Sequence, residues 1–244
     1  MVACRRHVGL LIVLLTLCLT PFWTFVPPAK AQVTYSVSQE WAKVWINKDG
    51  SIDILYNITM TYLSGSPQGI VTVGMPKSGF QIQSAKDLSA TSLRFNDVSQ
   101  GSFYGIDVYL RSPITLNRPN TFTVYAVVPS MVSKDSANPG NVGMLFYPST
   151  FPGASGTIVS LRVAMVLPQG VTSGEVRYPT GSPFNSVFME GNNLVVYWEQ
   201  SYWPPSNTFK AGVSFPEKYV SLAPSGPDVW FYVIIAVLVL AAVI

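Results

Sequence analysis

The residue types that do nucleophilic, redox or metal chemistry are sparse in this chain. Its one histidine is His7 and its two cysteines are Cys4 and Cys18, all close to the N-terminus. Oxygen ligands at alternate positions occur in Asn47-Lys48-Asp49-Gly50-Ser51-Ile52-Asp53. That spacing makes Asp49 and Asp53 the weak calcium candidates. The bidentate Glu that closes an EF-hand at its twelfth position is absent, because that slot holds Ile58. A plain hairpin turn explains the same residues. Glycoside chemistry needs two carboxyl groups in one cleft, about 5–10 Å apart. Glu175, Glu190 and Glu199 share one half of the chain, but nothing in their spacing brings them together. No P-loop and no Gly-rich dinucleotide fingerprint occurs. The expectation is therefore no catalytic residue, no cofactor and no metal beyond that calcium candidate.

Binding chemistry has more candidates. Trp41 and Trp45 sit four apart on one face of an alternating stretch, and Trp198 and Trp203 flank Tyr202 before Pro204-Pro205. Amphipathic aromatics carry a large share of recognition energy, so these four form a possible binding surface for a glycan or an envelope protein. Coverage by a second sheet or a loop is the competing explanation. Asn57-Ile58-Thr59 is an N-x-S/T sequon, which makes Asn57 a possible glycosylation site.

The two ends set the expected location. Arg5 and Arg6 precede an apolar run, and Ala29-Lys30-Ala31 reads as a cleavage site, so residues 1–31 are expected to be a signal peptide. Cleavage there removes both cysteines and the histidine, leaving no residues for a Ser-His-Asp or Cys-His nucleophile or a thiolate zinc site. Taking Arg5, Arg6 and Lys30 from fifteen basic residues leaves twelve, equal to the twelve acidic ones. A neutral mature chain lacks the basic patch that phosphate-driven binding needs, so nucleic acid is not an expected partner. At the other end, Val229 to Ile244 (VWFYVIIAVLVLAAVI) has no charge, no Gly and no Pro, and opens with the interfacial aromatics Trp230 and Tyr232. A helix of that length reaches roughly 24 Å, short of the roughly 30 Å hydrocarbon core. It is read as a truncated transmembrane helix that would hold the rest of the chain outside the cytoplasm on a cell membrane.

Between the ends the grammar is that of β-structure. Charged residues are 11% of the chain and aromatics 13%, with 18 Gly and 19 Pro. Residues 41–47 and 51–63 alternate on either side of Asp49-Gly50, the signature of a hairpin. On its second strand Ile52, Ile54, Tyr56, Ile58, Met60 and Tyr62 share one face, matched by Ala42, Val44 and Ile46. Further strands are expected near 70–75, 80–84, 92–96, 105–111, 121–128, 143–147, 157–167, 175–178, 193–199 and 208–215. Asn120-Thr-Phe and Asn207-Thr-Phe each open a strand that stops at a proline nine positions on, Pro129 and Pro216. The fold class expected is all-β, with one or two tandem immunoglobulin-like Greek-key sandwich units: 32–135 and 136–221, then a linker 222–228 and the helix 229–244.

The hairpin Trp41-x-Lys43-Val44-Trp45-Ile46-x-x-Asp49-Gly50-Ser51-Ile52-Asp53-Ile54 and the strand ends Met75-Pro76, Leu167-Pro168 and Phe215-Pro216 give this layout a family likeness. It resembles the membrane-anchored β-sandwich ectodomain proteins of archaea and some bacteria, and more distantly the lumenal β domains of ribophorin I. The resemblance implies an anchored ectodomain and no catalytic residues. The function expected is a non-enzymatic, membrane-tethered binding or structural module outside the cytoplasm. The alternatives are an accessory subunit of a membrane complex and, less well supported by the scattered acids, a carbohydrate-active enzyme.

Overall fold

The computed structural model describes residues 33–111, 114–178 and 183–222. The expected signal peptide 1–31 and the helix 229–244 lie outside them, as does nearly all of the linker. Among the described residues no helix is long and apolar enough to cross a membrane. The strands in chain order are β1 (Thr34–Ile46), β2 (Ile52–Ser64), β3 (Ile70–Gly74), β4 (Gln81–Asp87), β5 (Arg94–Asp97), β6 (Gly105–Tyr109), β7 (Pro119–Val128), β8 (Ser133–Lys134), β9 (Asn141–Phe146), β10 (Ile158–Val166), β11 (Ser186–Glu190), β12 (Asn193–Trp203) and β13 (Ala211–Pro216). Two single 3₁₀ turns, Ser173–Glu175 and Glu217–Tyr219, are the helical elements among the described residues. The protein is an all-β sandwich.

One sheet dominates. Its order is β11-β12-β10-β1-β2-β7-β4, and two three-stranded sheets, β13-β9-β8 and β3-β6-β5, complete the fold. Strands from both halves of the chain share the large sheet, joined where β1 runs parallel to β10. Period-two alternation explains which face is covered. On β2 the residues Ile52, Ile54, Tyr56, Ile58, Met60 and Tyr62 are all buried, as are Ala42, Val44 and Ile46 on β1. The smaller sheets pack on this face. The Tyr56 ring meets Phe146 of β9 at 6.2 Å, and Tyr62 reaches the Ile70 carbonyl of β3. The opposite face, with Trp41, Lys43 and Trp45 on β1, is only partly covered. The strands opened by the two Asn-Thr-Phe segments lie in different sheets, β7 in the large one and β13 in a small one.

The hairpin turn rests on Gly50. Its φ of +80° lies in the left-handed region, and a Cβ there would meet Leu222 Cδ2 at 2.5 Å and Val132 Cβ at 3.5 Å. Its carbonyl also accepts from the amides of Met131 and Val132. Gly50→Ala is expected to cost at least about 1 kcal/mol, from strained φ plus displaced Leu222. Denaturant titration measures it, and an unchanged midpoint would remove this role.

Three elements differ from the sequence expectation, the first being the two-residue strand β8 (Ser133–Lys134), which falls between the expected strands 121–128 and 143–147. Residues 175–178 form no strand; the end of a 3₁₀ turn lies there, and Arg177 makes a single bridge to Ser214. The capping box explains the turn, since the Glu175 side chain accepts from the Thr172 amide. Strand β11 (Ser186–Glu190) is absent from the expected set, because its consecutive apolar residues Val187, Phe188 and Met189 carry no alternation. Its pairing with β12 supplies the order that the sequence lacks.

Candidate functional site

The sequence candidates disperse over the fold. Trp41 and Trp45 lie on the partly covered face of β1, each under a cation. The Arg162 guanidinium is 4.4 Å from the Trp41 ring centre, and Lys43 Nζ is 5.2 Å from that of Trp45. Trp41 Nε1 also donates to Ser160 Oγ. These contacts hold the rings in place on the sheet. Trp198 is fully buried in the core, which corrects its reading as a surface residue. Its position two residues after Val196 puts it on the inward face of β12. Trp203 packs edge-on against Phe209 at 5.4 Å and donates to the Asn207 carbonyl. Asn57 sits beside Trp41 on the same partly covered face, with Oδ1 shut off from solvent and without a hydrogen bond.

The acids are engaged separately. Asp49 Oδ1 accepts from the Ser51 amide and hydroxyl, so it shapes the turn. Asp53 accepts from Asn47 and from the Tyr125 hydroxyl on the neighbouring strand. Glu190 pairs with Lys43 at 2.6 Å, Glu199 with Arg162 at 2.8 Å and Glu175 with Lys218 at 2.8 Å. Lys218 foremost, with the Thr172 amide, holds the Glu175 carboxyl down to about 2. It therefore stays ionised and cannot act as an acid near neutrality. Among the described residues no group of three or more His, Cys, Asp or Glu could hold a metal.

A cleft lies elsewhere, at the outer edge of β3. It encloses about 590 Å³. One wall is β3 itself, through Ile70, Thr72 and Gly74; the other is the segment Thr150 to Gly153; Tyr35, Tyr62 and Phe103 close it. No charged side chain lines it among the described residues. The packing explains the shape. Gly105 has no room for a Cβ, which would lie 2.7 Å from the Phe103 ring and 2.8 Å from the Val73 carbonyl. The missing side chain lets Phe103 fold over β6 to the mouth of the cleft, where it is 45% exposed. Burial, then the neighbouring Tyr35, pushes the Tyr62 hydroxyl up to about 12. It remains a donor, bonding the Ile70 carbonyl at 3.3 Å.

The backbone of β3 is half used. Met75 donates to Tyr104, and Leu110 donates to Gly69, so the odd-numbered positions of β3 bond to β6. In an antiparallel ladder the alternate positions then point the other way. These are Ile70, Thr72 and Gly74, on the edge where β3 ends its sheet. Ser149 Oγ takes the Gly74 amide at 2.9 Å, and Tyr62 takes the Ile70 carbonyl. Thr72 keeps both its N–H and its C=O open at the middle of the cleft wall, among the described residues. Nothing in the sequence marks this edge, since it depends on which strand lies beside β3.

Behind the cleft is an unpaired acid. Glu40 of β1 points inward and is 0% exposed, and neither carboxyl oxygen has a hydrogen-bond partner. Burial holds its carboxyl well above the ordinary carboxylate range, against a smaller downward pull from the Ser149 amide. That amide lies near but outside hydrogen-bond geometry. The buried Tyr56 hydroxyl also lacks a partner, and burial, then Glu40, raises it well above the usual phenol value. Sequence reading passes over Glu40 because an alternating strand gives no sign that one of its inward positions is charged.

No protein-family model and no curated protein matches the chain. Solved structures do. One is an M1 zinc metallopeptidase from Deinococcus radiodurans, 12% identical, TM-score 0.48, over 75% of this chain and 42% of that one. Another is yeast leukotriene A4 hydrolase in complex with Bestatin, 10% identical, TM-score 0.49, over 74% and 28%. A third, from Legionella pneumophila, is described as a candidate nutrient-binding protein, 12% identical, TM-score 0.47, over 76% and 68%. The chain thus spans under half the length of the first two. Peptidase and hydrolase chains stand where a non-enzymatic, membrane-tethered module, an accessory membrane subunit or a carbohydrate-active enzyme was expected. The matches correct that reading of function. They transfer no residue and no activity to this chain.

Proposed function

We propose that residues 33–222 form an exported, peptide-handling β domain without catalytic residues of its own, which takes up an extended polypeptide as an added strand beside β3. The observation that carries this is the open edge at Thr72, set in an uncharged, aromatic-walled cleft. Main-chain pairing at a free sheet edge gives affinity, and pockets for alternate side chains give selectivity. Tyr62 and Ser149 occupy the edge groups on either side of Thr72, so they frame a short segment of pairing. An extended strand is also the form in which a peptide is presented for hydrolysis. In that sense the reading lies with peptidase-related domains.

The test uses Thr72→Pro. Proline removes the outward N–H, while the inward bonds of Val71 and Val73 to β6 are untouched. Heptapeptides selected from a phage-displayed random library on the wild-type protein should bind the Pro variant at least about tenfold more weakly, the loss of about one hydrogen bond or more. Thr72→Val, which keeps the amide and loses only the hydroxyl bond to Asp107, should retain binding. Equal binding to all three proteins contradicts the proposal.

A further inference from the structure

We infer that the strand taken up beside β3 is selected by its side chains: two apolar residues, two positions apart, with a basic residue between them. This deepens, and rests on, the strand reading of the same cleft. The pattern comes from the two faces of β3. Val71 and Val73 are buried, while Ile70 and Thr72 are exposed. The side chains of an added strand follow the pleat of the strand it joins. The residue opposite Thr72 therefore shares the outer face with it. Its two neighbours, opposite Val71 and Val73, point inward. This holds for either direction of the added strand, because the alternation is common to parallel and antiparallel pairs.

The inward side chains enter the cleft. Tyr35, Met60, Tyr62 and Phe151 line it behind the β3 edge, and no charged side chain is among the lining residues. A charge placed there would lose its hydration without gaining a partner. An apolar side chain gains by leaving water. The volume of about 590 Å³ lies in the range of pockets that enclose small ligands, which is room for two such side chains.

The outward side chain meets a different surface. From Thr72 the row runs across the small sheet to Asp107 on β6 and Asn96 on β5. The Thr72 hydroxyl donates to Asp107 Oδ1 at 2.6 Å. Asp107 is half-buried, and among the described residues no cation pairs with it. Arg94, one row along, lies over the Tyr109 ring instead, 4.0 Å from its centre. An added strand would lie two strand spacings from Asp107, about 10 Å. The threonine between them is short. A lysine or arginine on the added strand can lay its stem across Thr72 and bring its charge to the carboxylate. An acidic residue at the same position is repelled.

The test is calorimetric titration of the full chain, at low salt, with the acetylated and amidated heptapeptide Ser-Gly-Phe-Lys-Phe-Gly-Ser and its variants. Glu in place of Lys should weaken binding to the wild type at least about fivefold, since an attraction becomes a repulsion. Ser in place of either Phe should weaken it at least about tenfold. Asp107→Asn keeps an acceptor for Thr72 and removes the charge, so it should abolish the preference for Lys over Glu, and Asp107→Lys should reverse it. Thr72→Pro should weaken every peptide that binds. Equal binding of the Lys and Glu peptides, a preference that survives Asp107→Asn, or no loss when Ser replaces Phe overturns the inference. If the parent heptapeptide does not bind while the library-selected ones still need the Thr72 amide, the side-chain pattern is wrong and the strand reading stands. If the selected heptapeptides are indifferent to Thr72→Pro, the strand reading fails and the pattern falls with it.

Discussion

Replacing Glu40 with glutamine should stabilise the protein at pH 8, and by less as the solution is acidified. In the unfolded chain this carboxyl titrates near 4.3. In the fold its value is raised by burial, with both oxygens unpaired. Between the two values the unfolded chain has released its proton and the folded chain still holds it. Unfolding then releases a proton, so stability falls as pH rises from about 4 until the folded value is passed, and is flat beyond it. Below about pH 4 both states are protonated and the penalty vanishes. Glutamine keeps the shape and removes the slope. The gain should be on the order of 1–3 kcal/mol at pH 8 and near zero at pH 4, in line with the cost of an unpaired buried charge relative to a neutral replacement. Urea titrations of both proteins at several pH values measure it. A difference that does not change with pH, or a variant less stable at pH 8, contradicts the assignment of Glu40 as a buried unpaired acid.

Trp198→Ala should have the larger and opposite effect. Trp198 is fully buried on the inward face of β12, opposite Val163 of β10. Its ring meets Phe184 edge-on at 6.3 Å, and Phe184 stacks on Tyr178 at 4.5 Å. Truncation removes the buried ring and leaves a cavity that sheet backbones cannot close. The expected loss is about 3–5 kcal/mol, a large share of the roughly 5–15 kcal/mol that holds a domain together. Trp41→Ala, on the partly covered face, should cost less. A Trp198→Ala midpoint near that of the wild type would mean the ring does not pack as described.

Much of the fold was legible along each strand and little of it between strands. The alternation of Ile52, Ile54, Tyr56, Ile58, Met60 and Tyr62 announces both the strand and its buried face, because period two is a property of the strand itself. Asp49-Gly50 announces the turn for the same local reason. The parallel pairing of β1 with β10 joins residues such as Trp41 and Arg162 from opposite halves of the chain, and no local pattern encodes it. The reading of the tryptophans shows the limit. Trp41, Trp45 and Trp198 look alike as exposed aromatic candidates; the first two lie under Arg162 and Lys43, and the third is core. The candidate site was less legible still. Thr72 matters through which of its neighbours is absent, and Glu40 through what it fails to touch. Both are properties of the assembled sheets.

Hydrogen exchange at single amides, measured with and without a selected heptapeptide, tests the peptide-handling claim most directly. The account predicts that the Thr72 amide, open at the edge of β3, slows at least tenfold when the peptide binds. Val71 and Val73, already bonded to β6, should change little. Slowing centred on Trp41 and Trp45 instead, with Thr72 exchanging as fast as before, would place the peptide on the other face of the large sheet and contradict the account.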